Sequence, residues 1–311
     1  MNIKQSGAVS TIHVEGLKVG WEQWVLLMSD IHHDSVQCNR DLETQHLELA
    51  KKRKAWVFIG GDLFDAMQGR FDPRRSMNEL RPEYRRDDYY DYVVKDLTDY
   101  LKPYSKNIMM IADGNHELAV LKNANTNLAD RLVSNLRAGG SPCVHGGYGG
   151  WVVFSFSVTA NGPRFSIRMK YFHGAGGEAP VTRGMIQTAR QAVYLPDADI
   201  VWNGHNHNEY ITTIVRERIS DGGKIYFDQA RYLRTPGYKQ GYADGSGGWE
   251  VTRGGVPKPI GAIWVRLAFD TSRRAGTHAS CMKIETISDV SAPDVCSPTG
   301  EIYEGRVFDE V

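Results

Sequence analysis

Five short stretches of this chain carry carboxylate, amide and imidazole side chains, four of them beside a glycine. They are Asp30-Ile31-His32, Gly60-Gly61-Asp62-Leu63-Phe64-Asp65, Gly114-Asn115-His116-Glu117, His173-Gly174 and Gly204-His205-Asn206-His207. Two glycines ahead of Asp62 allow a sharp turn and leave room beside it, and Asp65, three residues on, can reach back into the same space. His205 and His207 follow a glycine at a spacing that can aim two imidazoles the same way, as a metal ion requires. Nitrogen and oxygen donors without thiolate suit Mn, Fe, Zn or Co better than Ca, and the imidazole count argues against a pure Mg site. Taken singly, each stretch is ordinary, because strand exits are polar by default and a lone histidine usually packs.

What sets these stretches apart is that each follows an apolar run. Thr11–Val14 reads as a short edge strand and Trp24–Met28 as a buried one ending at Asp30 and His32, which period two puts on one side. Asp41–Lys54 carries Leu42, His46, Leu47 and Leu49 at helical spacing and returns the chain to a strand at Ala55–Ile59. A strand-helix-strand order implies a parallel pair whose carboxyl ends lie together, so Asp30, His32 and Asp62 converge. Asp87–Leu101 is a helix, Asn107–Ala112 a strand delivering Asn115 and His116, and Leu118–Lys122 and Thr126–Arg137 are helices, the last capped by Thr126. Trp151–Thr159 and Arg164–Phe172 alternate around Asn161-Gly162-Pro163, an antiparallel hairpin whose second strand ends at His173. Met185–Tyr194 reads as a helix and Asp199–Trp202 as a strand. Ile211–Val215, Lys224–Phe227 and Ile263–Phe269 are expected in a second sheet.

With 311 residues, 41% hydrophobic and 24% charged, the chain has the composition of an ordinary globular protein and is expected to form one domain over residues 1–311. Lys plus Arg equals Asp plus Glu at 37 each, so any basic surface is local. The most basic segment is an insertion at 66–86, where Arg74, Arg75, Arg85 and Arg86 either face water or form a phosphate-contacting flap beside Asp62. A Gly- and aromatic-rich loop at 231–259 is the other long irregular stretch. Neither a signal peptide nor a membrane-length apolar run is evident, which points to the cytoplasm. The four cysteines have no CxxC spacing and are expected to be reduced.

Together the five stretches resemble the motif series of the calcineurin-like metallophosphoesterase superfamily: D-x-H, G-D-x-x-D, G-N-H-[DE], H and G-H-x-H. The resemblance implies a four-layer αββα sandwich, two mixed β-sheets flanked by helices. It also implies two divalent ions, Mn foremost, with Asp30, His32, Asp62 and His207 holding one, and Asp62, Asn115, His173 and His205 the other. His116 would protonate the leaving alkoxide with Asp65 orienting its ring, while a hydroxide between the ions attacks a phosphate mono- or diester. Two divalent ions outweigh Asp30, Asp62 and that hydroxide by about one positive charge, so the centre favours a phosphate.

Gly-Asp-Leu-Phe-Asp is similar to the corresponding stretch of the SbcD-type DNA repair nucleases, which makes DNA or RNA a candidate substrate. Small-molecule or cyclic-nucleotide phosphodiesterase activity is the alternative. Protein phosphatases of the superfamily continue G-D-x-x-D with Arg-Gly, where this chain has Ala66-Met67, so that activity is set aside. A non-catalytic, metal-stabilised binding protein is the rival from another class, and the presence of His116 and Asp65 argues against it. His33 has no assigned place and is expected at the surface.

Overall fold

The computed structural model describes residues 3–66, 79–159, 162, 164–177, 182, 184–242, 251, 254–274 and 277–291. Among them are thirteen strands and five α-helices in two mixed sheets. The strands are β1 (Ile3–Ser6), β2 (Val9–Glu15), β3 (Trp21–Met28), β4 (Trp56–Ile59), β5 (Ile108–Ile111), β6 (Val144–His145), β7 (Gly149–Ser157), β8 (Arg164–Phe172), β9 (Ile200–Asn203), β10 (Tyr210–Ile219), β11 (Ile225–Arg234), β12 (Ile260–Arg274) and β13 (Thr277–Ser291). The helices are α1 (Arg40–Lys52), α2 (Tyr89–Leu101), α3 (Asn115–Ala124), α4 (Leu128–Ala138) and α5 (Met185–Tyr194).

One sheet runs β13-β12-β3-β4-β5-β6 and the other β1-β2-β7-β8-β9-β11-β10. Strands β3 to β6 are parallel neighbours because helices return the chain between them, and their centres are apolar on both faces. Leu26, Met28, Val57 and Ile59 face the helices with Leu47, Val93, Leu97 and Leu132, while Val25, Leu27 and Phe58 face the other sheet with Phe154, Met169 and Trp202. Ala198, Val201, Ala230 and Tyr232 pack beneath α5. Helix, sheet, sheet and helix therefore give the four-layer sandwich expected from the resemblance.

Several expectations shift. The segment at Thr11–Val14 is flanked on both sides, since β1 pairs with β2 and takes the edge. Ile263–Phe269 lies within β12, antiparallel to β3, so it joins the first sheet rather than the second. Helix α4 is capped by Asn127, whose side chain accepts the Asp130 N–H at 2.9 Å, and not by Thr126. Such a cap contributes about 1 kcal/mol. The loop expected at 231–259 begins as the end of β11.

Candidate metal centre

Register brings the motif residues together. Met28 pairs with Ile59 and Ile59 with Ile111, so β3, β4 and β5 end level, and in the other sheet Phe172 pairs with Asn203. The residues that follow these ends are the motif residues, and all emerge at one end of the sandwich. Beyond each exit the chain bends sharply: Asp30, His32, Asp62, His205 and His207 have φ between 50° and 75°, a region few non-glycine residues occupy. Asp30 and His32 thus share a side because of this turn and not because of strand alternation, β3 having ended at Met28. Strain at five donors is sustained only where surrounding bonds fix the backbone.

Those bonds are present. The amides of Asp30 and His32 donate to the carbonyls of Gly61 and Asp62, both at 3.0 Å. The Glu117 carboxylate, wholly buried, accepts the N–H groups of Asp62 and Phe64 at 3.0 Å and of Gly114 at 2.7 Å. Gly114 lies so close to Asp62 that a Cβ there would stand 2.0 Å from Asp62 Oδ1. Asp34, also buried, accepts the Asp65 amide at 2.6 Å and the Ala66 amide at 3.1 Å, with the Tyr89 hydroxyl donating to it as well. Glu117 enters the sequence reading only as a motif letter and Asp34 is missing from it. The signal for Asp34 was its nearness to Asp30 and His32.

Among the described residues the candidate donors form three groups, one of which, His32, Asp65 and His116, shares its first histidine with the first of the two that follow. Asp30, His32 and His207 each offer an atom within 4.8 Å of the others, and so do Asp62, His173 and His205. Asn115 Oδ1 joins the second group, 2.7 Å from His205 Nδ1 and 3.2 Å from His173 Nε2. His173 Nε2 links the groups, 3.2 Å from Asp62 Oδ2 and 3.9 Å from Asp30 Oδ1. Both ring nitrogens of His32 are buried without a hydrogen bond, Nδ1 meeting Asp65 Oδ1 at 2.9 Å as an ion-pair contact, and around the ring gather His173, His205 and His207, the carboxylates of Asp30 and Asp62, and the Asn115 amide oxygen. An orphaned imidazole nitrogen among such donors fits a divalent cation.

Electrostatics reflect the crowding of acids. Burial alone would push the Asp62 carboxyl up, but His173, then His116 and His32, outweigh it and hold the group well below the usual carboxylate range. Burial would lower the His173 imidazole, yet Asp62 and Asp30 push it up to about 10. The Asp30 carboxyl is raised by burial against the pull of His173. Burial, with Asp62 adding to it, lifts Glu117 to about 8.

His116 is placed at the margin. Its Nε2 is 3.9 Å from Asp62 Oδ2, and its Nδ1 lies 2.5 Å from the Asp65 carbonyl oxygen. The Asp65 carboxylate turns elsewhere, to His32 Nδ1 at 2.9 Å and Lys239 Nζ at 3.2 Å. Lys239 is absent from the sequence reading, which held no local signal for it. His33, expected at the surface, is buried because its Nδ1 pairs with buried Glu43 at 2.8 Å and its ring packs on Tyr100.

Of the candidate substrate arginines, Arg74 and Arg75 lie outside the described residues. Arg86 makes two bonds to Asp88 at 2.6 and 2.8 Å and covers the Tyr92 ring, and Arg85 Nε donates to the Leu80 carbonyl at 3.1 Å. Cys38, Cys143 and Cys281 are free thiols, and no helix among the described residues is long and apolar enough to cross a membrane.

A two-sheet sandwich with Asp, Asn and His donors at one end defines the calcineurin-like phosphoesterases, and the chain belongs to that family, whose model matches residues 24–209. Vacuolar Protein Sorting 29 from Cryptosporidium Parvum is similar in structure at 14% identity and a TM-score of 0.35, over 86% of this chain and 99% of that one. A conserved uncharacterized protein from Streptococcus pneumoniae TIGR4, described as a predicted phosphoesterase, is similar at 13% identity and a TM-score of 0.30, over 85% and 99% of the two chains. No curated protein matches the chain.

Proposed function

We propose that the chain is a dinuclear-metal-dependent phosphoesterase that hydrolyses phosphate mono- or diesters. The observation carrying this reading is the pair of adjoining donor groups, Asp30–His32–His207 and Asp62–His173–His205, linked through His173. Asp30, His32, Asp62 and His207 would hold one ion, and Asp62, Asn115, His173 and His205 the other, Mn being the first choice. Bound there, such ions would supply Lewis-acid charge for a phosphoryl group and would lower the pKa of a nearby water toward neutrality.

The chain's own groups do the rest. Asp65 keeps His32 Nδ1 engaged, leaving Nε2 for the ion. The Asp65 carbonyl accepts from His116 Nδ1, so Nε2 points toward the centre and can deliver a proton to a departing alkoxide. Burial lowers the His116 pKa, which makes the protonated ring a stronger acid.

Small diesters, cyclic nucleotides among them, fit better than a long nucleic-acid backbone, because Arg85 and Arg86 are already engaged in local bonds. Of the four arginines singled out in the sequence, Arg74 and Arg75 would then be left to meet a nucleic-acid backbone. The deciding experiment measures metal per chain by mass spectrometry and turnover of the Mn-loaded protein on p-nitrophenyl phosphate, bis-p-nitrophenyl phosphate, cyclic nucleotides, RNA, and single- and double-stranded DNA. Turnover with two ions bound supports the proposal. Metal binding without turnover of any ester would turn the chain into a metal-stabilised binding protein, and a steep loss of DNA turnover with salt would favour the nuclease.

A further inference from the structure

The family match ends at residue 209, yet a later segment reaches the centre from outside. Gly237 packs against the first donor group so closely that a Cβ there would stand 2.8 Å from the Asp30 carbonyl oxygen and 3.0 Å from His207 Nδ1. The next residue, Tyr238, donates its amide to the Asp30 carbonyl at 2.9 Å, and its own carbonyl accepts the Asn39 amide at 2.9 Å. Lys239 bridges Cys38, and Gln240 donates to the Gln37 carbonyl at 2.8 Å. Residues 237–240 are therefore laid as a strap along the chain that follows Asp30 and His32.

Lys239 ends this strap with a charge. Its ammonium lies 3.2 Å from Asp65 Oδ1 and 3.5 Å from Glu79 Oε2, with only 10% of the side chain exposed. One cation thus meets two carboxylates, Asp65 and Glu79, that are well separated in sequence. The same Asp65 oxygen holds His32 Nδ1 at 2.9 Å. A lysine beside a cation site would ordinarily repel the ion. Here two carboxylates face it and offset its charge, and the contact constrains Asp65, which in turn meets His32.

We infer that Lys239 is a positioning residue of the metal centre, holding Asp65 against His32 and so fixing the donor group Asp30–His32–His207 before an ion enters. The inference rests on the dinuclear reading. An outer partner of a metal-ligating histidine typically changes metal affinity 10- to 100-fold, and Lys239 acts one contact further out, so about tenfold is expected.

The test uses the full chain stripped with a chelator, as wild type, Lys239→Met and Lys239→Arg. Mn is titrated in, bound Mn per chain is counted by mass spectrometry, and thermal shift on Mn addition is followed in parallel. Lys239→Met is expected to weaken one of two sites about tenfold and leave the other unchanged. Its kcat on bis-p-nitrophenyl phosphate should fall while KM stays within about twofold, and Lys239→Arg should restore both affinity and kcat to within about threefold of wild type. Wild-type affinity at both sites in Lys239→Met overturns the inference, as does equal loss in the Met and Arg variants. Should Lys239→Met fail to fold, Asp65→Asn breaks the same contact from the other side, and unchanged metal binding there overturns the inference equally. Fewer than two ions on the wild type defeats the dinuclear reading instead, independently of either variant.

Discussion

His116 Nδ1 lies 2.5 Å from the carbonyl oxygen of Asp65 and 3.9 Å from its carboxylate. The ring is thus aimed by the backbone of the G-D-x-x-D turn, and the carboxylate is left to His32. The two duties assigned to Asp65 separate onto two of its groups, and mutation can tell them apart.

His116→Asn removes the proton donor while keeping every residue of the groups Asp30–His32–His207 and Asp62–His173–His205, although the lost ring packs on His32 and lies 3.9 Å from Asp62 Oδ2. Metal content should stay at the wild-type level. Turnover of alkyl phosphodiesters should fall about 10²- to 10⁴-fold, and p-nitrophenyl esters, whose leaving group needs little protonation, should lose far less. Equal loss on all esters in steady-state assays would sink the acid role.

Asp65→Asn keeps the carbonyl that orients His116 but weakens the hold on His32 and Lys239. Metal affinity should drop about 10- to 100-fold. The activity lost should return at high Mn and should not depend on the leaving group, which a metal titration with two esters can check.

Gly114→Ala places a methyl where only 2.0 Å separates it from Asp62 Oδ1. Asp62 must then move, and with it the bond its Oδ1 accepts from the His116 amide at 2.9 Å. The variant is expected to fold with a stability loss of about 1–3 kcal/mol by urea denaturation and to lose most bound metal. Retention of both ions at normal affinity would show that Asp62 is less confined than the contact implies.

His145 tests the fold's pH response away from the donors. Burial would lower its pKa, but the bond to Asp113 at 2.9 Å outweighs burial and raises it above the ordinary 6.5. The folded state therefore binds the proton more tightly than the unfolded one. That stabilisation is complete below pH 6.5 and is lost as pH rises through the folded value. His145→Gln should cost about 1 kcal/mol at acidic pH and almost nothing at alkaline pH, in thermal melts run across the range. A gap between the two proteins that widens with pH would contradict this.

The donors themselves could be read from the sequence, because each sits just after an apolar strand and all but Asp30 and His32 lie next to or near a glycine. Asp30, His32 and Asp62 follow from strand-helix-strand order, since a parallel pair brings those carboxyl ends together. His173, His205 and His207 lie in the other sheet, and the motif resemblance was needed to join them to the first three.

What only the folded chain decided are relations between side chains with no local sequence mark. Nothing near Asp65 says that its carbonyl faces His116 while its carboxylate faces His32 and Lys239; that division follows from Asp34 holding the amides of Asp65 and Ala66. Nothing near Lys239 says that it pairs with a residue 174 positions earlier. Likewise His33 looks like a surface residue until Glu43 is seen buried against it, and β12 looks like part of the later sheet until its register with β3 is known. Strand ends are written in hydrophobic pattern and turn chemistry, both short-range. Which buried charge meets which depends on packing that the whole chain completes at once.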